Sequence, residues 1–396
     1  MEIEFTVAVL VFGGLLWVAA MLSGVMRGTV LSISVLSVAS GVVLSLLGVV
    51  DVDPASSDLL QIAEIALILT LFSDGLVVEQ GLLRRHWDSP ARSLALAMPI
   101  TIGLIAVGAR LLFSLPWSEA LLLGAVLAPT DPVVSAVVVT SERVPLRIRN
   151  ALNLESGLND GLALPFVLGF LVLASPGGNA PSEVLRLLGE ALAGAAIGAG
   201  MGYLAAKLHP RLPLGGLTEH YTGIFTLGLA LTVFGVAELT IGNGLIAVFC
   251  AGALVAIGAD EELPTEFTAF SEYSSSIAQV VAFFAFGGLI VATGLQVSAW
   301  SVAAMVAVVF LLARPVAVYL ASVGAGLEPR ERAFIAWFGP KGVASMLFAL
   351  YVLDSRVADR AVVFDVAALV IFASILAHGL TDTIAARRVF ADARER

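Results

Sequence analysis

The sequence predicts an all-α polytopic membrane protein, built as two inverted six-helix repeats around a linker helix, with discontinuous helices crossing at mid-membrane. Three observations carry that expectation. Of the 396 residues, 59% are hydrophobic and 13% charged, against roughly 45–50% and 25% in a soluble domain. Apolar blocks of about 18 to 25 residues follow one another with short interruptions, a length that spans a hydrocarbon core. Two blocks are broken at their middle by Pro or Gly beside a charge: Pro129-Thr130-Asp131-Pro132 and Phe338-Gly339-Pro340-Lys341-Gly342. Broken spans in corresponding positions of two halves are a common plan of secondary transporters, and two simple proline kinks would not carry a charge at both breaks.

Hydropathy windows between Gly, Pro and charge give about thirteen helices. The first six run over 5–22, 29–50, 59–80, 91–115, 117–141 and 150–174. The remaining seven run over 183–208, 220–239, 242–259, 270–295, 299–322, 331–353 and 361–386. The start, Met1-Glu2-Ile3-Glu4, is acidic, whereas a secretory leader opens on positive charge, so 5–22 reads as a retained span. The chain is then a single membrane domain over 1–396. Its first repeat is 1–174, its linker helix 183–208 and its second repeat 220–386, followed by a short tail at 387–396. Lys and Arg gather in the loops after odd-numbered spans, Arg84, Arg85, Arg92, Arg143, Arg147 and Arg149 among them, and again in the tail. Only Arg186, Arg356 and Arg360 lie on the other side. The N-terminus is therefore expected outside and the C-terminus in the cytoplasm of a plasma (inner) membrane. A net charge of −10 removes the electrostatic basis for nucleic-acid binding. Cys250 is the one cysteine, so no internal disulfide can form.

A charge at the bilayer centre costs about 2.5–3.5 kcal/mol on insertion scales and needs a partner, a water-filled cavity or a neutral form. Asp131, Glu155, Asp160 and Lys341 fall near mid-membrane, so they are expected to share one environment. In 150–174, Ser156 and Asp160 are four apart and stack on one helix face, while Glu155 and Asn159 form a second such pair. Asp131 before Pro132 reads as an N-cap acid ahead of a first-turn proline, leaving the preceding carbonyls, Thr130 included, free to face a ligand. Hard monovalent cations take such oxygens, and nothing supplies the Cys and His set of a zinc site.

These residues resemble the electroneutral, NhaP-type branch of the monovalent cation:proton antiporters. The resemblance rests on Pro129-Thr130-Asp131-Pro132, on Glu155-Ser156-Gly157-Leu158-Asn159-Asp160-Gly161, on Leu71-Phe72-Ser73-Asp74-Gly75 and on Gly339-Pro340-Lys341-Gly342. It implies that Asp131, Asp160, Ser156 and the Thr130 carbonyl bind a transported Na⁺ or Li⁺, or H⁺, with no resident cofactor. It implies that Asn159 braces the site and that Glu155 pairs with an arginine, where this chain carries Lys341. It also implies a homodimer, and one-for-one exchange, because Asn159 replaces the first of two aspartates and 270–295 holds no Lys or Arg.

The chemistry expected of Asp131 and Asp160 is coupled titration. Close together in a low dielectric, the two acids repel when both are ionised, so the pair holds a proton that a bare cation expels. A K⁺/H⁺ antiporter would use the same mechanism. An intramembrane aspartyl protease would also place two acids around one proton, but the Gly-x-Gly-Asp phrase is missing at both. A channel fits less well with a site that must release its proton to bind metal.

The other polar residues have blander readings. Asp74, Glu64, Glu79 and Glu238 read as structural or entrance groups, and Arg314 before Pro315 as a snorkelling or helix-end residue. His86, His209, His220 and His378 read as solvated. Gly194, Gly198 and Gly202 form a smooth packing strip whose partner could be in this chain or in a second subunit.

Overall fold

A computed structural model describes residues 2–26, 33–50, 52–53, 56–76, 96–131, 144–176, 180–208, 219–259, 265–294, 296–324 and 326–389. Among these the protein is all-α, with 14 helices and no strand. They are α1 (Glu2–Met26), α2 (Ile33–Leu46), α3 (Ser57–Leu76), α4 (Met98–Phe113), α5 (Trp117–Val126), α6 (Leu146–Ala174) and α7 (Ala180–Leu208). There follow α8 (Glu219–Glu238), α9 (Gly244–Gly258), α10 (Thr265–Ala292), α11 (299–321), α12 (Pro329–Trp337), α13 (Val343–Asp354) and α14 (Arg360–Val389). Among the described residues, seven helices are long and apolar enough to cross a membrane, by length and composition. Each expected segment contains helix, and the segment expected at 331–353 divides into α12 and α13. The second half of the segment expected at 117–141, with Pro132, lies outside the described residues, as do Arg84, Arg85, Arg92, Arg143 and the tail from 390.

The helices pack in two groups. One holds α2, α3, α7, α8, α9 and α10; the other holds α4, α5, α6, α11, α12, α13 and α14; α3 touches both, through α6 and α13. Large apolar side chains on α3 and α13, including Leu67, Leu71, Phe72 and Phe348, are buried. Many outward apolar residues, such as Trp17, Leu111, Leu192 and Trp300, are exposed, as expected where the surrounding solvent is hydrocarbon.

Local chemistry fixes several ends. Asn243 accepts from the Ile246 amide as the N-cap of α9, and the Glu238 carboxylate takes the Gly244 amide at 2.7 Å. In α11, Pro315 lacks an amide proton and cannot complete an α-helical ladder. A π-helical turn at Val308–Ala313 immediately precedes it and shifts the register that delivers Arg314 to the interior.

The strip on α7 finds its partner inside the chain. Side chains added at Gly194, Gly198 and Gly202 would run into the backbone of Asn243, Ala247 and Ala251, so α7 and α9 meet backbone to backbone. A Gly198→Val substitution is expected to lower stability by about 1–3 kcal/mol or more through overpacking. Gly200→Val on the same helix, where a Cβ would meet nothing within 4 Å, should leave the thermal midpoint in detergent unchanged.

Candidate functional site

The site forms where the two chain breaks cross. Helix α5 ends at Val126, and Leu127–Asp131 continues without helical structure. Helix α12 ends at Trp337, and α13 begins only at Val343. Each break is stitched to the other. The Asp131 amide donates to the Pro340 carbonyl at 2.8 Å, and the Val343 amide donates to Asp131 Oδ2 at 3.2 Å. Asp131 thus sits on the amino end of α13, where free amides and the helix dipole favour an anion. The N-cap role expected toward Pro132 falls outside the described residues; the cap that the structure does contain is on a helix more than two hundred positions away. Gly342 permits the approach, because any Cβ there would collide with the Asp131 carboxylate.

Lys341 does the converse. Its Nζ donates to the carbonyls of Pro129 at 3.0 Å and Ala128 at 3.3 Å, in the unwound segment just past the carboxyl end of α5, and the residue is 1% exposed. The partner of Glu155 is instead Arg314, whose Nη1 lies 2.5 Å from Glu155 Oε1. This corrects the pairing expected between Glu155 and Lys341. It also corrects the reading of Arg314 as a snorkelling residue: at 7% exposure it is interior, and its Nη2 donates to the Phe338 carbonyl at 3.0 Å. The physical reason is geometric. A planar guanidinium serves a carboxylate and a carbonyl together, whereas an ammonium is a compact charge suited to the end of a helix.

On α6, Ser156, Asn159 and Asp160 face the break together and are all buried. The Asn159 amide donates to Thr130 Oγ1 at 3.2 Å, and the Thr130 and Ser156 hydroxyls are 3.2 Å apart. Asp160 is 2% exposed, and its Oδ1 has no hydrogen-bond partner. Asp131, Asp74 and Lys341 are its electrostatic neighbours. Asp74, read from sequence as structural or at the entrance, joins the cluster: α6 approaches it at Gly157, where a Cβ would lie 3.2 Å from that of Asp74, and Asp74 Oδ2 is buried without a partner. Its signal in the sequence was an acid within an apolar span, in the phrase Leu71-Phe72-Ser73-Asp74-Gly75. Among the described residues no group of three or more His, Cys, Asp or Glu is arranged to hold a resident metal.

His378 also departs from the solvated reading. It is 2% exposed and bonded through both ring nitrogens. His86 and His209 lie outside the described residues. Glu64, on α3, accepts from the Tyr351 hydroxyl at 3.1 Å, joining α3 to α13.

Breaking the Glu155–Arg314 pair strands a buried charge. Glu155→Ala and Arg314→Ala are each expected to cost about 3–5 kcal/mol. The double substitution should cost less than the sum of the two, read as unfolding midpoints of the detergent-solubilised protein.

Comparison with known proteins places this architecture. Residues 8–387 match the family described as sodium/hydrogen exchanger, transmembrane. The chain is 27% identical over 331 residues to a K⁺/H⁺ antiporter NhaP of Alkalimonas amylolytica, covering 82% of this chain and 57% of that protein. It is 27% identical over 312 residues to a probable Na⁺/H⁺ antiporter of Schizosaccharomyces pombe, covering 73% of this chain and 40% of that protein. The chain therefore spans about half the length of the relatives it matches. In fold it is similar to the sodium proton antiporter MjNhaP1 of Methanocaldococcus jannaschii at pH 8, with a TM-score of 0.80, 20% identity, and coverage of 98% of this chain and 100% of that one. With the match running over nearly all of its length, the chain belongs to the transmembrane sodium/hydrogen exchanger family.

Proposed function

We propose that the protein is a secondary antiporter that exchanges a monovalent cation, Na⁺ and also Li⁺, for H⁺ across a membrane. The observation that carries this reading is the buried Asp160 carboxylate, short of a donor and neighboured by two more acids, Asp131 and Asp74, and by hydroxyls. Such a cluster cannot stay fully ionised in a low dielectric without a compensating cation. Either a proton or an alkali ion supplies the charge, and each displaces the other. Asp131, Asp160, Ser156 and the Thr130 carbonyl are the groups assigned to the ion, with Asp74 adding a further oxygen. Asn159 carries no charge, and its amide is committed to Thr130, which supports one cation for one proton.

Turnover requires the site to face each side in turn. The group holding α4–α6 and α11–α14 carries the crossed breaks, and its movement as a body against the group holding α2, α3 and α7–α10 would do this, with the two repeats, 1–174 and 220–386, providing the inverted symmetry. We place the protein in the plasma membrane as a homodimer, N-terminus outside. The relatives named above bear both Na⁺ and K⁺ in their descriptions, so K⁺/H⁺ exchange by the same site is the competing assignment. Dye-quenching titrations with Na⁺, Li⁺ and K⁺ in proteoliposomes decide between them.

Asp160→Ala is expected to abolish cation-dependent proton flux in proteoliposomes; full retained activity overturns the site. The pH dependence has a definite sign. Acid fills the pair with a proton, so cation affinity is lost as pH falls. The half-saturating cation concentration should rise about tenfold per pH unit on the acid side, with the rate at saturating cation unchanged. Calorimetry showing cation uptake without proton release would refute the competition.

A further inference from the structure

We propose that Ser374 and His378, one turn apart on α14, are positioning residues that hold the Lys341 ammonium on the end of α5 and away from the carboxylate cluster. The proposal rests on the cation–proton reading above and concerns what keeps that site open to a cation.

Backbone groups buried in a break must each find a partner, and α14 supplies two of them. Ser374 Oγ accepts from the Lys341 amide at 2.9 Å, on the far side of the break. His378 Nε2 lies 2.9 Å from the Trp337 carbonyl, on the near side. The two side chains also join each other, Ser374 Oγ being 3.1 Å from His378 Nδ1. One neutral tautomer satisfies both ring nitrogens: Nε2–H donates to Trp337, and Nδ1 accepts from the Ser374 hydroxyl. The Ser374 carbonyl, 2.8 Å from Nδ1, would suit the other tautomer, but that one leaves Nε2 bare against the Trp337 carbonyl. The result is a chain from Lys341 through Ser374 and His378 to Trp337, bridging the two ends of the break. Arg314, on the Phe338 carbonyl, holds the segment between them. Phe310 and Trp337 pack on the imidazole, with ring centroids 5.3 and 5.5 Å away, and fix its plane.

The position of the Lys341 backbone decides where its charge goes. As placed, the ammonium neutralises the Ala128 and Pro129 carbonyls just past α5, yet Asp160 and Glu155 are its electrostatic neighbours. Freed from its anchor, Lys341 can reach toward the acids and take the place of the transported ion. A loosened clamp therefore weakens cation binding without removing any cation ligand.

The test is exchange in proteoliposomes against cation concentration for the unmodified chain, Ser374→Ala, His378→Ala and His378→Gln. The half-saturating concentration should rise about five- to tenfold in both alanine variants, the loss expected from one or two hydrogen bonds, with maximal rate changed less than about twofold. Glutamine can still donate to the Trp337 carbonyl, so His378→Gln should recover most of the affinity. If His378→Ala does not fold, Ser374→Ala removes one hydroxyl only and carries the test alone. A Ser374→Ala protein with unchanged half-saturation overturns the clamp, even if its melting temperature falls, because the side chain is then a brace and nothing more. Failure of His378→Gln to recover affinity overturns the hydrogen-bonded role of the ring. Either result leaves the antiport reading intact so long as Asp160→Ala still silences exchange; persistence of exchange in Asp160→Ala is the separate outcome that removes that reading.

Discussion

Two opposite charges and two severed helices meet at one point, and the remainder of the structure is arranged to keep them there. Asp131 rests on the amino end of α13 and Lys341 on the carboxyl end of α5, so each charge completes the helix that the other charge interrupts. Either alone in hydrocarbon would cost about 2.5–3.5 kcal/mol or more, and the free ends of either half-helix would be similarly unfavourable. Crossed, the breaks solve both problems with the same atoms. The arrangement turns the Asp131 carboxylate to the amino end of α13 and the Lys341 ammonium to the carbonyls of Ala128 and Pro129.

Around that crossing the polar groups divide into satisfied and unsatisfied. Glu155 with Arg314, Asn159 with Thr130, and Ser374 with Lys341 are hydrogen-bonded pairs; they hold the shape of the site and leave the Thr130 carbonyl for the ion. Carboxylate oxygens of Asp160 and Asp74 have no donor. In a buried setting an unpaired carboxylate is expensive, so those atoms identify where a proton or a metal ion belongs. The framework is rigid where it is satisfied and chemically poised where it is not.

Much of this was legible along the chain. Four-residue spacing put Ser156 and Asp160 on one helical face, and a proline beside Asp131 marked a break, because both are consequences of local geometry. Asp74 was visible as an intramembrane acid but isolated, since its neighbours in space, Asp131 and Asp160, lie 57 and 86 positions away. Arg314 was discounted because arginine before proline is an ordinary helix end, and a π-helical turn that carries it inward leaves no pattern in hydropathy. His378 looked solvated from its place near a predicted span end, whereas α14 continues to Val389 and buries that turn under the α12–α13 break.

By itself the sequence determined the solvent, the helices and the places where helices fail. Hydropathy, proline and glycine act through each residue's own transfer energy and backbone freedom, which need no knowledge of distant neighbours. Only the tertiary structure decided which charge meets which partner: Arg314 rather than Lys341 for Glu155, a helix end rather than an acid for Lys341, and a third carboxylate beside the pair. Electrostatic and hydrogen-bond energies depend on separations of a few ångströms between residues far apart in the chain, and those separations exist only once the helices have packed.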